Sequence, residues 1–140
     1  MRRSFYLTAI FILAFCSTVY SQEKKDDGQE HHGMKASAVK ELDEFHELLH
    51  PLVHEAYPNK DFEAIRKALP KLVESGMLLK KAALPKELAS KKKAFTAKAK
   101  KLVKQLTELN KKKDTLSDDI LGEKFMEMHD TFEELMDLTR

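Results

Sequence analysis

Histidine spacing is the strongest chemical signal in this 140-residue sequence. His46, His50 and His54 follow one another at intervals of four, and His129 lies near the carboxyl end. Side chains four apart project from successive turns of an α-helix and drift by about 40° per step, so neighbouring pairs can share one ion more easily than all three can. Imidazole is a ligand for copper, zinc, nickel and cobalt. The spacing predicts a transition-metal site.

The segment from His46 to His50 also has the H-E-x-x-H spacing of zinc peptidases, in which the glutamate is the general base. Pro51 follows at once, and the chain offers little room for a substrate cleft. A di-iron site needs a second E-x-x-H, but Met126 stands at the matching position before His129. We therefore expect no enzyme and no catalytic residue, and we keep Glu47 as a candidate metal ligand.

The first 21 residues have the features of a secretory signal peptide, namely Arg2 and Arg3, an apolar run and small residues before a cleavage site after Ser21. We expect a secreted or periplasmic protein. Cleavage would remove Cys16, the only cysteine, and with it disulfide and cysteine-metal chemistry. Arg2 and Arg3 supply the whole formal charge of +2, so the remaining chain is neutral and has no global attraction to nucleic acid or membranes.

The rest of the sequence divides into a tail and a helical domain. Residues 22–35 are charged and lack apolar periodicity, which is typical of a disordered tail. His31 and His32 lie there and could bind copper loosely. Residues 36–140 are helical in pattern, with four helices expected at about 37–57, 61–83, 86–110 and from 117 onward. Four amphipathic helices with short loops predict an antiparallel up-down-up-down four-helix bundle in the all-α class.

Apolar residues at intervals of three and four define the expected core. They are Val39, Leu42, Phe45, Leu49, Val53, Ala56, Phe62, Ile65, Leu69, Leu72, Val73, Leu79, Leu88, Phe95, Leu102, Leu106, Leu109, Leu121, Phe125, Met128, Phe132 and Leu135. Met77 and Met136 are also expected in the core. Pro51 and Pro70 remove amide donors, so we expect kinks in the first two helices.

Charge differs strongly between the helices. Residues 86–113 hold eleven lysines against two glutamates, whereas residues 114–140 hold nine acids against two basic residues. No aromatic residues alternate with these lysines as stacking platforms, so we expect a solvated face and no nucleic-acid partner. The first helix is also acidic. A cation between the acidic first and fourth helices would relieve their repulsion.

The expected topology brings histidines of the first and fourth helices to one level. At 1.5 Å per residue, His46 and His129 both lie roughly 17 Å from the same end of the bundle, and His50 lies one turn nearer. The metal ligands would be His46, His50 and His129, with His54 as an extra. Other nearby groups could complete the coordination shell: Glu47, Glu123, Glu133, Met126 and Met128.

The His46–His50 motif in a small helical chain with an export signal resembles the periplasmic sensors of nickel–cobalt resistance. That resemblance implies a four-helix metal-binding bundle with further ligands on later helices, which His129 matches. Glu133 stands where that family has a methionine one turn later. The implied partners are the metal ion and a membrane protein for metal efflux or sensing. A second copy of the chain, in a homodimer, is a further partner that we consider.

The size of the chain and the Leu84-Pro85 end of the second helix resemble cytochrome b562-like bundles. This second resemblance implies haem b held by His129 and a histidine of the first helix such as His46. The first helix has no methionine, so the usual methionine–histidine pair would be replaced. A cofactor-free interaction module is the third alternative, because a fold does not dictate a function.

Overall fold

The computed structural model describes residues 37–140, so the predicted signal peptide and the tail at 22–35 lie outside the described residues. The described chain forms four α-helices and no strand, which confirms the all-α class. Their bounds are α1 Lys40–Pro51, α2 Phe62–Leu79, α3 Lys92–Lys112 and α4 Asp118–Thr139. A π-helical segment, Leu52–Ala56, extends α1, and a 3₁₀ segment, Lys86–Lys91, precedes α3.

Polar side chains fix where the helices begin. The Asp61 carboxylate accepts a hydrogen bond from the Ala64 amide (3.0 Å) at the start of α2. The Ser117 hydroxyl accepts one from the Ile120 amide (3.5 Å) at the start of α4. Such caps satisfy amides that have no partner within the helix. Both N-terminal boundaries therefore agree with those read from the sequence.

The two prolines have different outcomes. After Pro51 the helix changes to π geometry, in which the Tyr57 amide donates to the Leu52 carbonyl (2.9 Å). A proline has no amide hydrogen and crowds the carbonyl four residues earlier, so a wider turn after Pro51 is a physically reasonable response. In contrast, α2 continues through Pro70 as a single helix. Pro70 is exposed, and the helix type does not change there; the kink expected at Pro70 stays a prediction.

The core is built from the apolar stripes of all four helices. Every predicted core residue of α3, α4 and the 3₁₀ segment is buried, and Phe45, Phe95, Phe125 and Phe132 are the largest fully buried side chains. Met136 is buried as expected, but Met77 is 41% exposed, which corrects its assignment to the core. Residue 77 lies one turn beyond Val73, on the edge of the apolar stripe of α2.

The segment from Ser37 to Tyr57, which contains α1, contacts α4 at three points. The Ser37 hydroxyl donates to the Thr139 hydroxyl oxygen at 3.1 Å. Farther along, the Phe45 ring lies 5.1 Å from the Phe132 ring between centroids, and the Tyr57 ring lies 6.4 Å from that of Phe125. As the chain advances from Ser37 to Tyr57, these contacts therefore step backwards along α4. Helices adjacent in sequence also pack on one another.

Two other features hold the helices together. Gly76 of α2 lies so close to α3 that a Cβ there would stand 2.9 Å from Leu106 Cδ1. The half-buried Arg66 side chain donates to the carbonyls of Lys113 (2.8 Å) and Leu116 (3.1 Å) and forms an ion pair with Asp118 (2.7 Å). Arg66 thus joins α2 to the loop between α3 and α4.

Among the residues that the structure describes, no helix is long and apolar enough to cross a membrane.

Candidate metal site

Three histidines form a continuous ladder along one edge of α1 and the π segment. The rings of His46 and His50 are 5.5 Å apart between centroids and nearly perpendicular. The rings of His50 and His54 are 4.4 Å apart and tilted by 42°. His46 is half-buried, whereas His50 and His54 are exposed. Adjacent rings of the ladder therefore lie near each other, and the sharing of one ion by such a pair stays a prediction.

The π segment explains why the rings of His50 and His54 lie closer together than those of His46 and His50. In an α-helix, four residues overshoot a full turn by about 40°, so three histidines at this spacing would spiral away from one another. Hydrogen bonds from i to i+5 put more residues into each turn, so four residues no longer overshoot. The step from His50 to His54 crosses Leu52–Ala56 and is accordingly the closer of the two. The sequence pattern alone did not reveal this.

His46 is the histidine nearest to the core. Its ring stacks on Phe132 of α4, with centroids 5.8 Å apart and planes within 8°. Burial lowers the pKa of His46 below its ordinary value, and the neighbouring His50 lowers it further, while the carboxylate of Glu133 opposes both. A lowered pKa keeps the imidazole neutral, which is the form that binds metals.

Across from His46, α4 presents His129 and Glu133 one turn apart. His129 Nε2 is 3.5 Å from Glu133 Oε1. His129 Nδ1 is buried without a hydrogen-bond partner among the described residues, because the Asp130 carboxylate is 3.9 Å away and too distant to bond. Glu133 acts electrostatically on His46 and also lies beside His129. The Glu133 carboxylate therefore interacts with a histidine of each helix, His46 of α1 and His129 of α4.

The remaining candidate ligands are less well placed. Glu47 and Glu123 are exposed, and Met126 is half-buried. Met128 has no exposed surface and packs in the core, where its thioether cannot reach an ion at the surface. Within residues 37–140, no three histidine or carboxylate side chains already converge around one point. A third ligand therefore requires a side-chain rotation or a group from another molecule.

The lysine-rich α3 faces the acidic α4. Lys98 forms an ion pair with Glu134, and the Gln105 amide donates to the Glu127 carbonyl at 3.3 Å. Neighbouring Lys100 and Lys101 are exposed. This side of the bundle combines ion pairing to α4 with a solvated basic surface, as the charge pattern suggested.

Comparison of the chain with protein-family models, with curated proteins and with solved structures gives no match. The function is therefore inferred from the geometry of the histidine ladder and its surroundings.

Proposed function

We propose that this protein binds a transition-metal ion through His46 and His50, with Glu133 or His129 of α4 as the further ligand and His54 as an accessory one. Its role would be metal sequestration, delivery or sensing without catalysis, in the secreted or periplasmic space to which residues 1–21 would direct it. A membrane efflux or sensor protein would be its partner.

The main support for the proposal is the proximity of the His46, His50 and His54 rings in the ladder. Three imidazoles in ring-to-ring proximity on one helix edge would repel one another if all were charged. A shared cation replaces this repulsion with coordination bonds. The half-buried position of His46 and its lowered pKa favour the neutral, metal-binding form.

The position of α4 supplies the second support. His46 stacks on Phe132, and both Glu133 and His129 lie within one turn of Phe132 on the same helix. A rotation of Glu133 towards His46 would add a carboxylate to two imidazoles. His129, whose Nδ1 lacks a partner among the described side chains, could add a third imidazole.

The proposal assumes the up-down-up-down arrangement of the four helices. It is supported by the short connections between helices, by the packing of sequence neighbours on one another, and by the contacts of the segment from Ser37 to Tyr57 that step backwards along α4. In that arrangement α1 and α4 are antiparallel neighbours, and the two acidic helices lie side by side.

The ligand types narrow the choice of metal. Two imidazoles with a carboxylate suit zinc, nickel or cobalt, whereas copper in its reduced state prefers thioether or thiolate ligands. Met128, the methionine nearest in sequence to His129, is enclosed in the core. We therefore favour zinc, nickel or cobalt over copper(I).

The test is to titrate zinc, nickel and cobalt into the purified protein by calorimetry, with His31→Ala/His32→Ala as the background so that tail histidines do not contribute. We expect micromolar or tighter binding and at least a tenfold loss for His50→Ala. For His46→Ala we expect this loss in the binding of one ion per chain that excess metal produces. Glu133→Gln and His129→Ala identify the α4 ligand. Thr96→Ala, a substitution on α3 remote from the ladder, is the control. Millimolar or weaker binding of all three metals would contradict the proposal.

The same preparation separates the alternatives. A Soret band in the purified protein, lost in His129→Ala and His46→Ala, would indicate the haem-binding electron carrier. Colourless protein that binds neither metal nor haem would leave the cofactor-free interaction module.

A further inference from the structure

We propose that the exposed pair His50 and His54 is one half of a second metal site, which the same pair of another copy of the chain completes. This inference rests on the proposed function, because it uses the same ladder, but it adds the partner that shares the ion.

The pair has the geometry of a two-ligand chelate that faces solvent. The rings of His50 and His54 are only 4.4 Å apart, closer than those of His46 and His50. Both side chains are exposed, so another molecule can approach them. Pro51 lies between the two histidines in the sequence and is exposed as well.

Two imidazoles fill only half of a closed zinc site. Structural zinc sites are almost always tetrahedral with four protein ligands. The described residues supply no third histidine or carboxylate that converges with this pair, and Glu133 lies at the opposite end of the ladder, beside His46. A twofold axis through the ion would bring two identical pairs together and supply four imidazoles with one self-complementary contact.

The charges around the pair make this association depend on the ion. Glu47 and Glu55 are exposed and flank the two histidines in the sequence, and no lysine or arginine lies between the two glutamates. Two copies that approach through this edge repel each other until a divalent cation lies between them. A contact confined to one helix edge also buries too little surface for a stable interface without the metal.

Two modes of zinc binding compete for His50. One is the site shared between two chains through His50 and His54, and the other is the site within one chain through His46 and His50. At up to one ion per two chains, the shared site offers four imidazoles, and the dimer is favoured. With excess metal, each chain binds its own ion through His46 and His50, and the dimer dissociates. The dimer fraction should therefore rise and then fall as zinc is added, which an interface independent of the metal would not do.

The experiment measures the mass of the purified His31→Ala/His32→Ala protein by sedimentation velocity at increasing zinc chloride. We expect monomer without zinc, a twofold greater mass near half an equivalent per chain, and a return towards monomer in several-fold excess or with a chelator. His54→Ala should stay monomeric at every ratio while still binding zinc. His46→Ala should still dimerise. Glu55→Gln, which removes one like charge beside the pair, is the control and should dimerise at least as well as the parent.

The outcomes separate this inference from the proposed function. If the parent protein binds zinc but remains monomeric at half an equivalent, or if His54→Ala dimerises as well as the parent, the shared site is overturned and the proposed function stands. If no variant binds zinc, both fail. His54 is exposed, so His54→Ala should fold normally, which circular dichroism verifies.

Discussion

The imidazole of His46 lies parallel to the ring of Phe132, with 5.8 Å between centroids and 8° between planes. The stack joins a candidate metal ligand of α1 to the buried face of α4. It also limits how the imidazole can turn, because a tilted ring would lose contact with Phe132 or collide with it. The core thus orients the first member of the histidine ladder.

Replacing Phe132 by alanine tests this coupling. Phe132 is fully buried, and a buried phenylalanine-to-alanine change costs about 3–5 kcal/mol in the free energy of unfolding. Phe95→Ala, at a buried phenylalanine of α3, is the matched control and should cost a similar amount. Urea unfolding measures both. We also expect Phe132→Ala to weaken zinc binding, whereas Phe95→Ala should not; equal effects on zinc binding would contradict the orienting role.

The lowered pKa of His46 predicts a pH dependence of stability. Burial and the charge of His50 favour the neutral form in the folded protein, so the unfolded chain binds a proton more readily. The associated stability is fully present above the ordinary histidine pKa of about 6.5 and is lost as the pH falls through the lower folded value. Urea midpoints measured between neutral pH and pH 5 should decrease less steeply for His46→Gln than for the parent. Parallel curves for the two proteins would refute this assignment.

The carboxylate of Glu133 acts on His46 in the opposite direction. Its negative charge raises the pKa of the imidazole, so its removal in Glu133→Gln should lower the pKa of His46 still further. The titration of the His46 ring protons by NMR measures the shift. Glu134→Gln is the control, because Glu134 pairs with Lys98 on the α3 side of α4. A shift of the same size in both variants would show that the effect is not local.

Arg66 should contribute more to stability than its single ion pair suggests. Arg66→Ala leaves the carbonyls of Lys113 and Leu116 without their donor and removes the bond to Asp118. Hydrogen bonds to a charged group contribute about 1.5–3 kcal/mol, so we expect a loss of that order. Asp118→Asn should cost less than about 1 kcal/mol, because Asp118 is 59% exposed. Chemical unfolding distinguishes the two, and equal losses would mean that the ion pair dominates.

Pro51 is expected to set the position of His54. Pro51→Ala restores an amide donor, so the α-helical pattern can continue and rotate His54 away from His50. Zinc-dependent dimerisation should then decrease, while binding through His46 and His50 remains. Pro70→Ala is the matched control, since Pro70 is also an exposed proline within a helix. It should leave zinc binding unchanged, and a dimer as stable in Pro51→Ala as in the parent would contradict the role of the π segment.

The sequence was sufficient for the helices but not for the details of the ladder. Periodic apolar residues identified all four helices, and the starts expected at about residues 61 and 117 agree with the caps at Asp61 and Ser117, because these signals are local. The π turn after Pro51 was not predictable, since a proline can also be accommodated without a change of helix type, as at Pro70. The exposure of Met77 depends on how far the stripe of α2 is covered by its neighbours.

Only the part of the candidate site that depends on spacing along one helix could be predicted from the sequence. The spacing of His46, His50 and His54 is a local property and led directly to their proximity. The stack on Phe132 and the influence of Glu133 on His46 depend on the rotation of α4 about its own axis. Spacing along one helix does not determine that rotation, which follows from the packing of the whole core.

The hydrogen bond between Ser37 and Thr139 has a consequence for engineering the chain. Because these residues meet, a short peptide could link them, and new termini could be opened in the loop at 113–117. Such a circular permutant of residues 37–140 would keep α1 to α4 and the ladder intact. Tolerance of new termini is usual where the ends to be joined lie close together, as Ser37 and Thr139 do.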